Sequence, residues 1–153
     1  MYYQIAASTG NKWASAKSAR NVERQLIRKI GLDPARYKLA DGSGLSLYNY
    51  LSAELVVKLL RYAYLNGNIM DHLKHSLPIG GGDGTLKKRM KNSFVHGNVK
   101  AKTGTLTGII SLAGYCTAAN GHELCFAIIN NGIMHGNNAR HFADKVCTLL
   151  CQP

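Results

Sequence analysis

Apolar positions recur at helical spacing through the first two thirds of the chain, then switch to the spacing of strands. After Ser15-Ala16-Lys17-Ser18, the positions Val22, Leu26, Ile27 and Ile30 predict an amphipathic helix that Gly31 and Asp33-Pro34 stop. Asp41-Gly42-Ser43-Gly44 then breaks the chain. A second helix is predicted from a Ser52 cap, with Leu55, Leu59 and Tyr62 on one stripe and Asn66-Gly67 closing it. A short amphipathic segment from Ile69 to Leu77 meets Pro78. Gly80-Gly81-Gly82-Asp83-Gly84 must take backbone angles that side chains disfavour, and Thr85 is placed to cap a short basic helix reaching about Asn92.

From Val99 the apolar residues alternate. Val99–Leu106, Ile109–Ala118 and Glu123–Asn130 predict three consecutive strands, with Asn120-Gly121 as a hairpin turn. If those two residues alone form the turn, Leu112 faces Ile129, Gly114 faces Ala127 and Cys116 faces Cys125, while Ala113:Ile128, Tyr115:Phe126 and Thr117:Leu124 line the other side. Both faces are then apolar, which predicts an α+β fold, an antiparallel sheet flanked by helices in layers of helix, sheet and helix. A last helix from about Asn138 carries Phe142, Val146, Leu149 and Leu150 as its apolar stripe.

The length of 153 residues fits one domain, and 46% hydrophobic with 18% charged residues excludes disordered and collagen-like classes. No apolar run reaches the roughly 18 residues of a membrane span, and the start does not resemble a signal peptide. Nineteen Lys and Arg against eight Asp and Glu give a charge of +11, a field suited to phosphate, acidic polymers or carboxylates. The densest basic patch is Lys87, Lys88, Arg89, Lys91, Lys100 and Lys102. Only Phe94 is interleaved with it, so the patch reads as a solvated basic helix and no nucleic-acid partner is expected. In the register above, Cys116 and Cys125 form a non-hydrogen-bonded pair, close enough for a disulfide, with two reduced core thiols the preferred reading. The cysteines and six histidines show no ligand spacing, so neither a metal nor a cofactor is expected.

The segment Lys102-Thr103-Gly104 lies on a predicted strand just before the hairpin. An ammonium and a hydroxyl there suit a carboxylate, a glycine lets a ligand approach the strand, and a following N–H can serve an oxyanion. The triplet stands in a set: Asp41-Gly42-Ser43-Gly44-Leu45-Ser46, Leu77-Pro78, Asp83-Gly84-Thr85-Leu86, Ala101 to Gly108 and Leu112-Ala113-Gly114-Tyr115. In order and spacing this set closely resembles the C-terminal part of the D-alanyl-D-alanine carboxypeptidase/endopeptidase family, the low-molecular-mass class C penicillin-binding proteins.

The resemblance implies a partial penicillin-binding/beta-lactamase-like transpeptidase fold and a serine-type peptidase acting on peptidoglycan stem peptides through an acyl-enzyme, with beta-lactams as covalent inhibitors. It implies that Lys102 and Thr103 bind the substrate carboxylate and aid proton traffic, that Gly104 admits substrate, that Thr105 offers an oxyanion N–H, and that Ser43 builds a loop near the site. Extracytoplasmic action on the cell wall follows from the same resemblance. The chain departs from the family in lacking Ser-x-x-Lys and Ser-x-Asn, so it reads as a C-terminal piece without the nucleophile. No turnover by this chain alone is expected, and an open sheet edge and apolar helix face predict self-association or association with the missing N-terminal part. The alternative is a non-catalytic module binding peptidoglycan or another acidic ligand.

Overall fold

The structure, a computed structural model, describes residues 2–10, 13–91 and 94–153. The chain divides into two compact units, Met1–Leu55 and Val56–Pro153, where length alone suggests one domain; each is described by itself.

In the first unit, helices α1 (Tyr2–Ala7) and α2 (Ala16–Lys29) are followed by a 3-10 turn at Pro34–Arg36. Ser15 caps α2, its Oγ accepting from the Ser18 N–H at 3.1 Å. Gly31 at φ +79 closes that helix: its N–H donates to Arg28 O and the Leu32 N–H to Ile27 O, the paired bonds of a Schellman end. The core of the unit is Ile27, Leu32, Tyr37 and Leu55, flanked by Ile30 and Leu39. Helix α1 has no periodic signal in the sequence.

The second unit builds two helical layers around a sheet. Helices α3 (Ala53–Tyr64), which begins at the end of the first unit, and α4 (Gly67–Ser76) precede strands β1 (Lys100–Leu106), β2 (Ile109–Thr117) and β3 (Glu123–Asn131), and α5 (Gly136–Cys151) ends the chain. The strands form one antiparallel sheet in the order β1-β2-β3. On one face Leu112, Cys116 and Phe126 pack with Leu86, Met90, Val95 and the α5 residues Ala143, Cys147 and Cys151. On the other, Tyr115 packs with Leu60, Met70 and Leu77, and its hydroxyl donates to Leu60 O at 2.8 Å. The expected layers are thus present. Among the described residues no helix is long and apolar enough to cross a membrane.

Several expectations need correction. The β2–β3 register is displaced by one residue, pairing Leu112 with Ile128, Gly114 with Phe126 and Cys116 with Leu124. The turn holds three residues, not two: Gly121 N–H donates to Ala118 O, Ala118 N–H to His122 O, and Gly121 sits at φ +81. A slip of one residue exchanges faces, so Cys116 joins the α5 layer while Cys125 joins the layer of Tyr115. No disulfide links them, and Cys116, Cys125, Cys147 and Cys151 are all free thiols.

Helix α3 buries Leu55, Leu60 and Ala63 and leaves Leu59 exposed; Asn66 closes it as expected, its N–H donating to Ala63 O and its Nδ2 to Tyr62 O, and also stands at the N-cap position of α4. Helix α5 turns Ala139, Ala143, Cys147 and Cys151 to the sheet and leaves Phe142 and Leu149 largely exposed. In α5 the hydropathy pattern follows the largest side chains, whereas close packing on the sheet prefers small ones. The basic helix after Thr85 is reduced to a 3-10 turn at Gly84–Leu86; its expected end at Asn92 lies outside the described residues.

Candidate active-site edge

Strand β1 is a sheet edge whose first residues are covered and whose remainder is open. Pro78 O accepts from the Ala101 N–H at 3.0 Å, the Gly80 N–H donates to Val99 O at 2.8 Å, and Ile79 forms an isolated bridge with Lys100. Asp83 holds this strap in place, its Oδ1 accepting from the Ile79 N–H at 2.7 Å. The strap ends there. Along an antiparallel edge strand alternate N–H groups point outward, so the outward Ala101 N–H fixes those of Thr103 and Thr105 as outward too. Neither has a partner outside the sheet among the described residues.

Side chains alternate along the same strand. Lys102 and Gly104 stand opposite Ala113 and Ser111 on the Tyr115 face, and Thr103 stands opposite Leu112 on the other. Lys102 is exposed and its Nζ donates to Thr103 O at 2.6 Å, leaving further donors on the ammonium. The Thr103 hydroxyl donates to Thr85 Oγ1 at 3.1 Å. A Cβ at Gly104 would meet only the Ser111 side chain, whose hydroxyl can rotate away, so that face of the strand is otherwise open. On the same face, two residues before Lys102, Lys100 lines a pocket of about 570 Å3 with Lys74, His96, Asn98 and Glu123.

Ser43 belongs to the first unit. Its hydroxyl donates to Asp41 Oδ1 at 2.7 Å and accepts from the Leu45 N–H at 3.1 Å, while its own N–H donates to the same carboxylate. The Asn49 amide ties Ala40 and Asp41 into the loop, and Gly44 turns it at φ +74. The hydrogen bonds from Ser43 hold the Asp41 carboxyl below its ordinary value of 3.8. These bonds tie the Ser43 hydroxyl into its own loop; the Leu45 N–H is a donor to it, and the Asp41 carboxylate, held below its ordinary value, is a weaker base than a free carboxylate.

The structure therefore brings Lys102, Thr103, Gly104 and Thr105 onto one open edge and gives Ser43 a loop of its own. Sequence reasoning misses two neighbours: Thr85 beside Thr103, which reads as a helix cap, and Ser111 against Gly104. Only the β1–β2 pairing reveals the second. Among the described residues no cluster of His, Cys, Asp or Glu is arranged to hold a metal.

Comparison with known proteins places these features in context. Residues 1–152 match the sequence model of the D-Ala-D-Ala carboxypeptidase 3 (S13) family. Over 113 residues the chain is 42% identical to the D-alanyl-D-alanine carboxypeptidase of Actinomadura sp., covering 71% of this chain and 21% of that protein. It is 35% identical over 116 residues to the D-alanyl-D-alanine carboxypeptidase DacB of Haemophilus influenzae, covering 74% of this chain and 24% of that protein. The crystal structure of penicillin binding protein 4 (dacB) from Haemophilus influenzae, complexed with a beta-lactam, superposes with a TM-score of 0.87 at 28% identity, over 99% of this chain and 37% of that one. The fold is penicillin-binding/beta-lactamase-like. The chain spans about a fifth to a quarter of the length of these curated relatives.

Proposed function

Since this chain belongs to the D-Ala-D-Ala carboxypeptidase 3 (S13) family, we propose that it supplies the substrate-binding edge of a serine-type carboxypeptidase/endopeptidase acting on peptidoglycan stem peptides outside the cytoplasmic membrane. The observation that carries this reading is the open edge of β1, where outward N–H groups of Thr103 and Thr105 flank Gly104 beside the Lys102 ammonium. A stem peptide lies along such an edge as an added strand, its terminal carboxylate taken by Lys102 and the Thr103 hydroxyl. The Thr105 N–H then stabilises the oxyanion formed when a serine hydroxyl adds to the penultimate D-Ala carbonyl. The tetrahedral centre collapses to an acyl-serine and releases D-Ala, and water hydrolyses the ester.

The attacking serine and its lysine are absent from these 153 residues, which contain no Ser-x-x-Lys and no Ser-x-Asn. Ser43, bonded to Asp41 and Leu45, does not replace them. By itself the chain binds and does not turn over. Only β2 is paired on both sides among the described strands, and Phe142 and Leu149 are 54% and 66% exposed, so β3 and α5 are the surfaces on which self-association or association with a nucleophile-bearing segment takes place.

Two measurements test this. Fluorescent penicillin leaves the isolated chain unlabelled, and a covalent adduct on Ser43 would overturn the assignment. Titration with D-Ala-D-Ala shifts the Thr103 and Thr105 amide resonances, and Lys102→Ala weakens binding about tenfold, equivalent to the loss of one charge-assisted hydrogen bond. If the dipeptide shifts no β1 amide, the edge is not the substrate wall. The same edge serves a second reading, a non-catalytic module for peptidoglycan or another acidic ligand, which the commitment of the Ser43 hydroxyl to Asp41 favours. A chain joined to a segment bearing Ser-x-x-Lys that binds the dipeptide without ever labelling with penicillin would select it.

A further inference from the structure

The basic run Lys87–Lys91 takes no part in the β1 edge. In the structure it is a tight turn packed beside α5, and Lys88, Arg89, Lys91, Asn137, Arg140 and Asp144 line a pocket of about 320 Å3. Arg89 is fixed there: its Nη2 donates to Asp144 Oδ1 at 2.6 Å and its Nε to Oδ2 at 3.3 Å, with a further bond to Arg140 O, and its side chain is only 16% exposed. This two-point contact sets the guanidinium plane and leaves the Nη1 donors without a partner among the described residues. The Arg140 guanidinium is steadied by Asn137 Oδ1 at 3.0 Å. Lys88 and Lys91 have no hydrogen bond or ion pair among the described residues.

Met90 explains how the run presents its charges. Its side chain is buried in the core at 5% exposure, while its backbone takes φ 53, a conformation that residues other than glycine rarely adopt. Anchoring Met90 in this way lets Arg89 and Lys91, on either side of it, both line the same pocket. A strained backbone that holds charged neighbours in place is a feature of binding sites. Four cations face one carboxylate, and that carboxylate is already committed to Arg89, so the pocket carries an uncompensated positive charge of three.

We propose that this pocket binds a multiply charged phosphate group, at a site separate from the β1 edge and independent of its reaction. A pocket of this volume, with a planar guanidinium held in place and two exposed ammonium groups beside it, has room for a pyrophosphate-like ligand and the charge to attract it. The phosphate belongs either to a soluble ligand or to a lipid headgroup; the chemistry recognised is the same.

Calorimetric titration of the chain with sodium pyrophosphate at fixed ionic strength tests the proposal. The double variant Lys88→Gln/Lys91→Gln and the α5 variant Arg140→Gln each weaken binding tenfold or more. The control Lys17→Gln/Arg24→Gln, which removes the same charge from exposed positions of α2, changes it less than twofold. Co-sedimentation with vesicles of phosphatidylcholine containing phosphatidic acid, whose phosphomonoester headgroup can carry two negative charges, identifies the source. Vesicle binding that is lost in the Lys88/Lys91 variant assigns a lipid headgroup, and pyrophosphate binding without vesicle binding assigns a soluble phosphate. Equal weakening by the α2 control, or absence of any saturable heat with pyrophosphate, overturns the site, because either result leaves only the general attraction of a +11 protein.

Discussion

Two glycines within ten residues of each other do opposite work. A Cβ on Gly114 would come within 2.6 Å of Ala101 Cα and press against Lys100 O, backbone atoms that cannot move without separating β1 from β2. A Cβ on Gly104 meets only the side chain of Ser111. Gly114→Ala is therefore expected to cost about 2–3 kcal/mol of stability, read from the midpoint of a urea titration, and Gly104→Ala less than about 1 kcal/mol. Equal costs would mean that β1 does not approach Gly114 closely. In the sequence Gly114 is visible only as part of a Leu-Ala-Gly-Tyr string; its physical reason needs the cross-strand register. Lys102 and Thr103 are the reverse case, because their place on a strand before the hairpin is legible in the linear chain, although the triplet alone reads equally as an ordinary edge strand. Ser43 is intermediate: Asp41 and Gly44 mark a turn, but the hydroxyl's commitment to the Asp41 carboxylate is a matter of distances.

At the scale of elements, the existence of the three strands and four of the helices follows from the period of the apolar residues, and what the period leaves open is which face each one turns inward. The β2–β3 hairpin shows why. Asn120-Gly121 signals a turn equally well as two central residues or as the end of a three-residue loop, and the choice falls to burial: the observed register places Phe126 beside Leu112 and Cys116 in one core. Helix α5 misleads in a different way, because Phe142 and Leu149 outweigh Ala139 and Ala143 in any hydropathy pattern, although only the small residues allow the helix to lie close on the sheet. Two predictions belong here. Gly121→Ala, at φ +81 with open space around it, should cost about 1 kcal/mol through backbone strain alone, measured by the same urea titration. Because Cys116 and Cys125 point into different layers, oxidation should form no bond between them, and iodoacetamide at neutral pH should modify half-buried Cys125 before the three buried thiols. A peptide map linking residues 116 and 125 would return the hairpin to its two-residue turn.

The second unit as a whole is held by buried weak acids that must stay protonated. Burial pushes the Tyr115 hydroxyl from 10.0 up to about 12, and the Cys116 and Cys147 thiols from 9.0 up to about 12. In each case the folded value lies above the unfolded one, so the native state binds more protons than the unfolded chain once pH exceeds the unfolded value. The associated stability is complete below pH 9 and is lost as pH rises toward 12. Each group contributes a slope of up to about 1.4 kcal/mol per pH unit within its own window. Between pH 9 and 10 the buried thiols act, Cys151 among them because burial raises it as well; above pH 10 Tyr115 joins them and the slope steepens. Against the roughly 5–15 kcal/mol typical of a domain, that loss is a substantial fraction of the stability. Urea titrations at successive pH values should show the fall begin near pH 9, and Cys147→Ala, read against its own value at pH 8, should flatten the first part of it. Constant stability from pH 9 to 11 would mean that these groups reach water in the folded protein, and with it that α5 does not seal the sheet.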